Sequence, residues 1–111
     1  MDFRDIYSWG IPTALSLIQC RSIDENIYII SSGGIKTSLD IIKSLIIGAD
    51  MVAISGAILK LLAEDGIIEA DKYISELVYK LKILMLLTGN QTIEELKNTP
   101  YKVIGKLKNL L

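Results

Sequence analysis

The sequence predicts an α/β fold built on parallel strands, and a slice of such a fold rather than a closed domain. Three observations carry this. Asn26-Ile27-Tyr28-Ile29-Ile30-Ser31 and Met51-Val52-Ala53-Ile54 are short β-rich runs without polar alternation, the pattern of strands covered on both faces. A segment of helical periodicity separates them, so the pair is a βαβ crossover with its strands parallel. Two parallel strands alone make no stable sheet, and the chain supplies no neighbours for them. Finally, half of the 111 residues are hydrophobic, about a third are isoleucine or leucine, and the mean hydropathy is +0.42. That is more aliphatic surface than a free-standing domain of this size easily hides.

The elements follow in order. Met1 to Ser8 mixes charged and apolar residues without a period. Gly10-Ile11-Pro12-Thr13 is a turn into a helix, with Pro12 suited to a first turn where a missing N–H costs nothing. Ala14, Leu15, Leu17 and Ile18 carry that helix to about Cys20, and Arg21 to Asn26 connects it to the first strand, residues 27–31. Ser32-Gly33-Gly34-Ile35 ends the strand. Thr37 or Ser38 caps a second helix whose Leu39, Ile42, Leu45 and Ile46 fall at helical spacing, and Gly48 stands where its C-terminus wants positive φ. The second strand, residues 51–54, runs into Ser55-Gly56 and a short helix from Ala57 to Ala63, closed by Asp65-Gly66. The longest helix spans Asp71 to about Leu87, with Ile74, Leu77, Val78, Leu81 and Leu84 on one face. Thr88-Gly89-Asn90 stops it. Thr92 caps a last short helix that ends near Pro100, and the remainder reads as a tail.

Chemistry is narrowed by what is missing. The chain has no histidine, so histidine triads, Cys–His dyads and His-ligated metals have no place within it. A net charge of −1 and a pI near 5.3 give no nucleic-acid footprint. The most apolar window, residues 45–63, is broken by Asp50 and Lys60, which argues against a membrane span. The acidic N-terminus is unlike a secretory signal, and a single cysteine builds no internal disulfide framework; both point to a cytoplasmic setting.

Two loops remain as a candidate site. Gly33 and Gly34, after the first strand, let the backbone approach a ligand, and the helix that follows opens with N–H groups suited to an anion. Ser55-Gly56 opens the short helix after the adjacent parallel strand. Both loops lie on one edge of the sheet, so their amides can cradle a single phosphate, with Lys36 either adding charge or pointing into water. Eight-stranded β/α barrels place phosphate at the loops after strands 7 and 8 beside a short extra helix. Residues 1–111 then map as one partial domain, the last quarter of a (β/α)8 barrel: helix 6, strand 7, helix 7, strand 8, the extra helix, helix 8 and the C-terminal tail.

Trp9-Gly10-Ile11-Pro12-Thr13, Ser32-Gly33-Gly34-Ile35-Lys36, Leu39-Asp40-Ile41-Ile42-Lys43, Ile47-Gly48-Ala49-Asp50, Ser55-Gly56, Leu86-Leu87-Thr88-Gly89 and Ile93-Glu94-Glu95-Leu96 together resemble the C-terminal part of the type 2, FMN-dependent isopentenyl-diphosphate isomerases. The resemblance covers nearly the whole chain. The SGGI and GAD segments are shared with other FMN-binding barrels, whereas the WGIPT opening and LLTG ending are more particular to the isomerases. The resemblance implies interconversion of isopentenyl and dimethylallyl diphosphate with reduced FMN, Mg2+ and NADPH, in a homo-oligomer. It implies that the FMN phosphate is held by Gly34, Ile35, Lys36, Ser55 and Gly56. Lys36 stands where many members have arginine, Ser38 where glycine is frequent, and Ser55 where alanine is frequent. The family's Mg2+ and substrate motif and its flavin-contacting lysine match no stretch of this chain. No catalytic or metal-ligating residue is therefore assigned, and the chain by itself is expected to be inactive. Another FMN-dependent barrel oxidoreductase, of the 2-hydroxy-acid or dihydroorotate type, and a non-catalytic self-associating module are the alternatives.

Other conspicuous residues take structural roles in this reading. Trp9 is a packing anchor at a helix start, and Cys20 is buried and inert. Asp50, at the N-terminal end of a strand, is structural rather than a metal ligand. Glu95 is a capping partner of Thr92 rather than half of an acid–base pair.

Overall fold

A computed structural model describes all residues, Met1–Leu111. After a 3-10 helix at Arg4–Trp9 come α1 (Thr13–Ile23), β1 (Ile30–Ser31), α2 (Ser38–Ile47), β2 (Met51–Val52), α3 (Gly56–Asp65), α4 (Ile67–Leu87), α5 (Ile93–Leu96) and α6 (Lys106–Leu110). β1 and β2 are parallel, with Ile30 opposite Met51 and Ser31 opposite Val52. The predicted βαβ crossover is present, and the chain is a helical assembly around a small parallel sheet.

The strands are shorter than the 27–31 and 51–54 predicted. Before β1, backbone polar groups go to side chains: the Ile27 carbonyl accepts from Arg21 Nη1 at 2.8 Å, and the Ile29 N–H donates to Asp50 Oδ2 at 2.8 Å. Burial on both faces also fails. Ser31 is buried and Val52 half-buried on the face that the helices cover, but Ile30 and Met51, side by side on the other, are 55% and 51% exposed. Nothing in the chain covers that second face.

Local signals set most helix ends. Thr37 caps α2 in a reciprocal box: its hydroxyl accepts the Asp40 N–H, and the Asp40 carboxylate accepts the Thr37 N–H. Gly48 closes α2 with φ +132°, a conformation that strains any residue with a Cβ. At α5 the Thr92 hydroxyl accepts the Glu95 N–H, and the Glu95 carboxylate reaches back to the Gln91 N–H. Half of the box expected between Thr92 and Glu95 is therefore present: the Glu95 carboxylate serves the residue before the cap rather than Thr92 itself. Helix α1 runs three residues beyond Cys20. Helix α4 begins at Ile67 rather than Asp71, because Gly66, at φ +87°, reverses the chain at once. Ile67 and Ile68 stay exposed, so their helical state leaves no trace in an apolar face. Helix α6 lies in the segment read as a tail.

The core is small. Ile42 and Leu45 of α2 meet Leu96 of α5, with Leu81, Leu84 and Met85 of α4 and Val52 of β2 against them. Two residues expected inside are outside. Trp9 is 86% exposed, because the 3-10 helix that carries it buries no residue. Cys20 is exposed as well: α1 packs through Leu15 and Leu17, and Cys20 faces an open hollow beside β1 lined by Leu17, Ile29 and Ile30.

Candidate functional site

Parallel strands deliver their following loops to the same edge, and here the two loops meet. Gly34, Ile35 and Lys36 after β1 and Ser55, Gly56 and Ala57 after β2 line one cavity of about 340 Å³, completed by Ser32, Gly33, Ala53, Ile54 and Lys60. All five residues predicted to bind the phosphate therefore face a common space. The only charged side chains lining it are Lys36 and Lys60.

Lys60 was missed by sequence reasoning. It lies one turn after Gly56, on the face of α3 that looks into the cleft. That i, i+4 spacing is the signal that could have found it.

Hydrogen bonding separates the amides that are free from those already used. Asp40 Oδ2 accepts the N–H groups of both Lys36 and Thr37 at 3.0 Å, so the start of α2 is satisfied from within. The Lys36 N–H, the largest influence, and those of Thr37 hold the Asp40 carboxyl below the usual carboxylate range. Lys36 can thus offer an anion its ammonium, not its amide. The N–H groups of Gly34, Ile35, Gly56 and Ala57 donate to nothing in the chain, and the first amide of α3 to find a backbone acceptor is that of Leu59, 2.9 Å from the Ser55 carbonyl.

The loop geometry requires glycine. Gly33 and Gly34 have φ of +105° and +71°. A Cβ added to Gly34 or Gly56 would meet no atom within 4 Å, so at Gly34 it is the positive φ, not crowding, that calls for glycine. Ile35 is buried and anchors the loop by its side chain. The Gly33 carbonyl accepts from the Thr13 hydroxyl at 2.9 Å, and the Lys36 carbonyl accepts from the Tyr73 hydroxyl of α4. Free amides, two cations and the absence of a carboxylate make a cleft suited to a phosphate group and unsuited to a cation. The donor set fits the phosphate of FMN on this ground.

The residues set aside as structural fall elsewhere. Asp50 lies before β2, where it accepts from Arg21 Nη2 at 2.8 Å, from the Ile29 N–H and from Lys97. No helix of the structure is long and apolar enough to cross a membrane.

The sequence profile of the FMN-dependent dehydrogenases matches residues 11–102, and the chain belongs to that family. Within it, the chain is similar to proteins named isopentenyl-diphosphate delta-isomerase. It is 39% identical over 103 residues to that of Sulfurisphaera tokodaii, 44% over 101 residues to that of Methanocaldococcus jannaschii and 43% over 102 residues to that of Pyrobaculum islandicum. These matches cover 91–93% of this chain but 28% of each relative. The relatives carry the name to which the motifs pointed.

Proposed function

We propose that this chain is the C-terminal portion of an FMN-dependent isopentenyl-diphosphate isomerase, the last quarter of its (β/α)8 barrel, and that the cleft between the two loops receives the FMN phosphate. The observation that carries the reading is the convergence of Gly34 and Ile35 with Gly56 and Ala57, their amides unspent, beside Lys36 and Lys60. The isomerase names of the relatives support the substrate assignment.

Gly34, Ile35, Gly56 and Ala57 would hold phosphate oxygens by their N–H groups, and the two lysines would neutralise the charge. In the family's reaction, reduced FMN supplies the chemistry that interconverts isopentenyl and dimethylallyl diphosphate, with Mg2+ and the substrate bound through other parts of the enzyme and NADPH maintaining the reduced flavin. This chain binds and orients. Among the cleft-lining residues, Lys36 and Lys60 carry the only charged side chains, and both are committed to the anion. The chain alone is accordingly inactive, and the complete enzyme is cytoplasmic and homo-oligomeric.

Flavin fluorescence titrations test the phosphate assignment. FMN should bind the chain at least tenfold more tightly than riboflavin, since several charge-assisted hydrogen bonds of about 1.5–3 kcal/mol each depend on the phosphate. Equal affinities would remove the reading. The placement in the isomerase barrel is tested by substituting this chain into the Methanocaldococcus jannaschii isomerase over the 101 matching residues. Retained flavin and isomerisation of isopentenyl diphosphate are expected. A folded chimera that loses flavin and isomerisation would overturn the placement.

A further inference from the structure

We propose that Thr13 is a positioning residue for the glycine loop: its hydroxyl fixes the polarity of the Gly33–Gly34 peptide, so that an N–H rather than a carbonyl is turned to the cleft. The proposal rests on the phosphate reading above and adds to it a residue outside the cleft.

Two successive glycines with positive φ can rotate the peptide between them at little cost, because no Cβ opposes the movement. The two orientations are opposite in function. In a planar trans peptide the C=O and N–H point in opposite directions, so a flip exchanges a donor for an acceptor at the same place. An acceptor turned toward a phosphate would repel it.

The Gly33 carbonyl is held by Thr13 at 2.9 Å. Thr13 does not line the phosphate cleft. It lines the hollow on the other flank of the loop, with Ser16, Cys20 and Ser32. Drawing the carbonyl to that flank leaves the Gly34 N–H directed away from α1. Approach is close here: a Cβ on Gly33 would lie 3.0 Å from the Thr13 hydroxyl oxygen.

The rest of the loop has other ties. The Lys36–Thr37 peptide is held at its carbonyl by Tyr73 and at its N–H by Asp40, and the Ile35 side chain is buried. Thr13 makes the one hydrogen bond to the Gly33–Gly34 peptide. Thr13 is the first residue of α1, behind Pro12 at the N-cap, which has no side-chain acceptor to offer the helix. The Thr13 hydroxyl is spent on the loop.

The test compares the chain with Thr13→Val, which keeps shape and loses the hydroxyl, and Thr13→Ser, which keeps the hydroxyl. FMN and riboflavin affinities are measured alongside the Gly34 amide resonance of the ligand-free chain. Thr13→Val should weaken FMN about three- to tenfold, the worth of one neutral hydrogen bond, leave riboflavin unchanged, and split or broaden the Gly34 signal. Thr13→Ser should restore all three. Equal losses for both flavins in Thr13→Val would mark a merely structural role and overturn the proposal, as would unchanged FMN binding with a single sharp Gly34 signal. If the unmodified chain does not prefer FMN to riboflavin, the phosphate reading itself falls. The Gly34 resonance still decides whether Thr13 sets the peptide.

Discussion

At the residue scale, Asp50 ties three separate segments of the chain together. It receives Arg21 from α1, the Ile29 N–H ahead of β1 and Lys97 beyond α5, while Arg21 also binds the Gly48 carbonyl through Nε at 3.0 Å and Nη2 at 2.7 Å. Lys97 first, then the Ile29 N–H and Arg21, lower the Asp50 pKa to about 2. A carboxyl depressed in the folded state contributes stability that is complete above its unfolded pKa, near 4, and is lost as pH falls toward 2. Asp50→Asn should therefore cost about 2 kcal/mol at neutral pH, and the difference from the unmodified chain should shrink below pH 4. Urea unfolding at pH 7 and at about pH 2.5 measures both. The position of Asp50 before a strand made its structural role legible. Its partners were not, because Arg21 and Lys97 lie 29 and 47 residues away and only the fold brings them together.

At the scale of elements, the ends marked by local chemistry were readable: Thr37 and Thr92 as caps, Gly48 and Gly89 as stops with φ of +132° and +77°. Such signals act within four residues and need no tertiary partner. The lengths of β1 and β2 were not readable, since a strand extends only as far as its neighbours pair with it. Helix α5 shows how little length an element needs when it is anchored. It has four residues, too few to persist alone, and is fixed by Leu96, which is 0% exposed between α2 and α4. Leu96→Ala should cost about 2–5 kcal/mol and release α5 from Ile42 and Leu45, with Lys97 drawn off Asp50. A thermal melt gives the first effect, and amide exchange across residues 91–99 gives the second.

For the whole molecule, surface is the deciding quantity. The chain exposes 8444 Å², whereas a compact monomer of 12.3 kDa exposes about 6,100 Å². Its radius of gyration is 15.6 Å against about 13 Å for a closed domain of this length, and its extents of 44 × 40 × 26 Å are those of a slab. Only 12 of 111 residues are buried, so the aliphatic excess in the composition is a surface left bare rather than a large core. The isolated chain should bind the dye ANS strongly and associate as concentration rises, and both properties should disappear in the chimera with the Methanocaldococcus jannaschii isomerase. Dye fluorescence and light scattering report them. A monomeric chain that leaves the dye dark would contradict the bare face on which Ile30 and Met51 lie.

The sequence by itself determined helices α1 to α5, apart from the first turn of α4, together with the parallel pair, the glycine turns and the edge at which the two loops emerge. Each of these follows from interactions between residues close in the chain, or from the geometry of a crossover. It also carried the kinship, through motifs spread along nearly the whole length. Tertiary structure alone decided which amides are spent and which are free, that Thr13 holds the loop from behind, and that Trp9 and Cys20 face outward. Those outcomes depend on which distant groups compete for the same donor or cover the same surface. Periodicity records that a residue is apolar or a loop is flexible; packing decides what it meets.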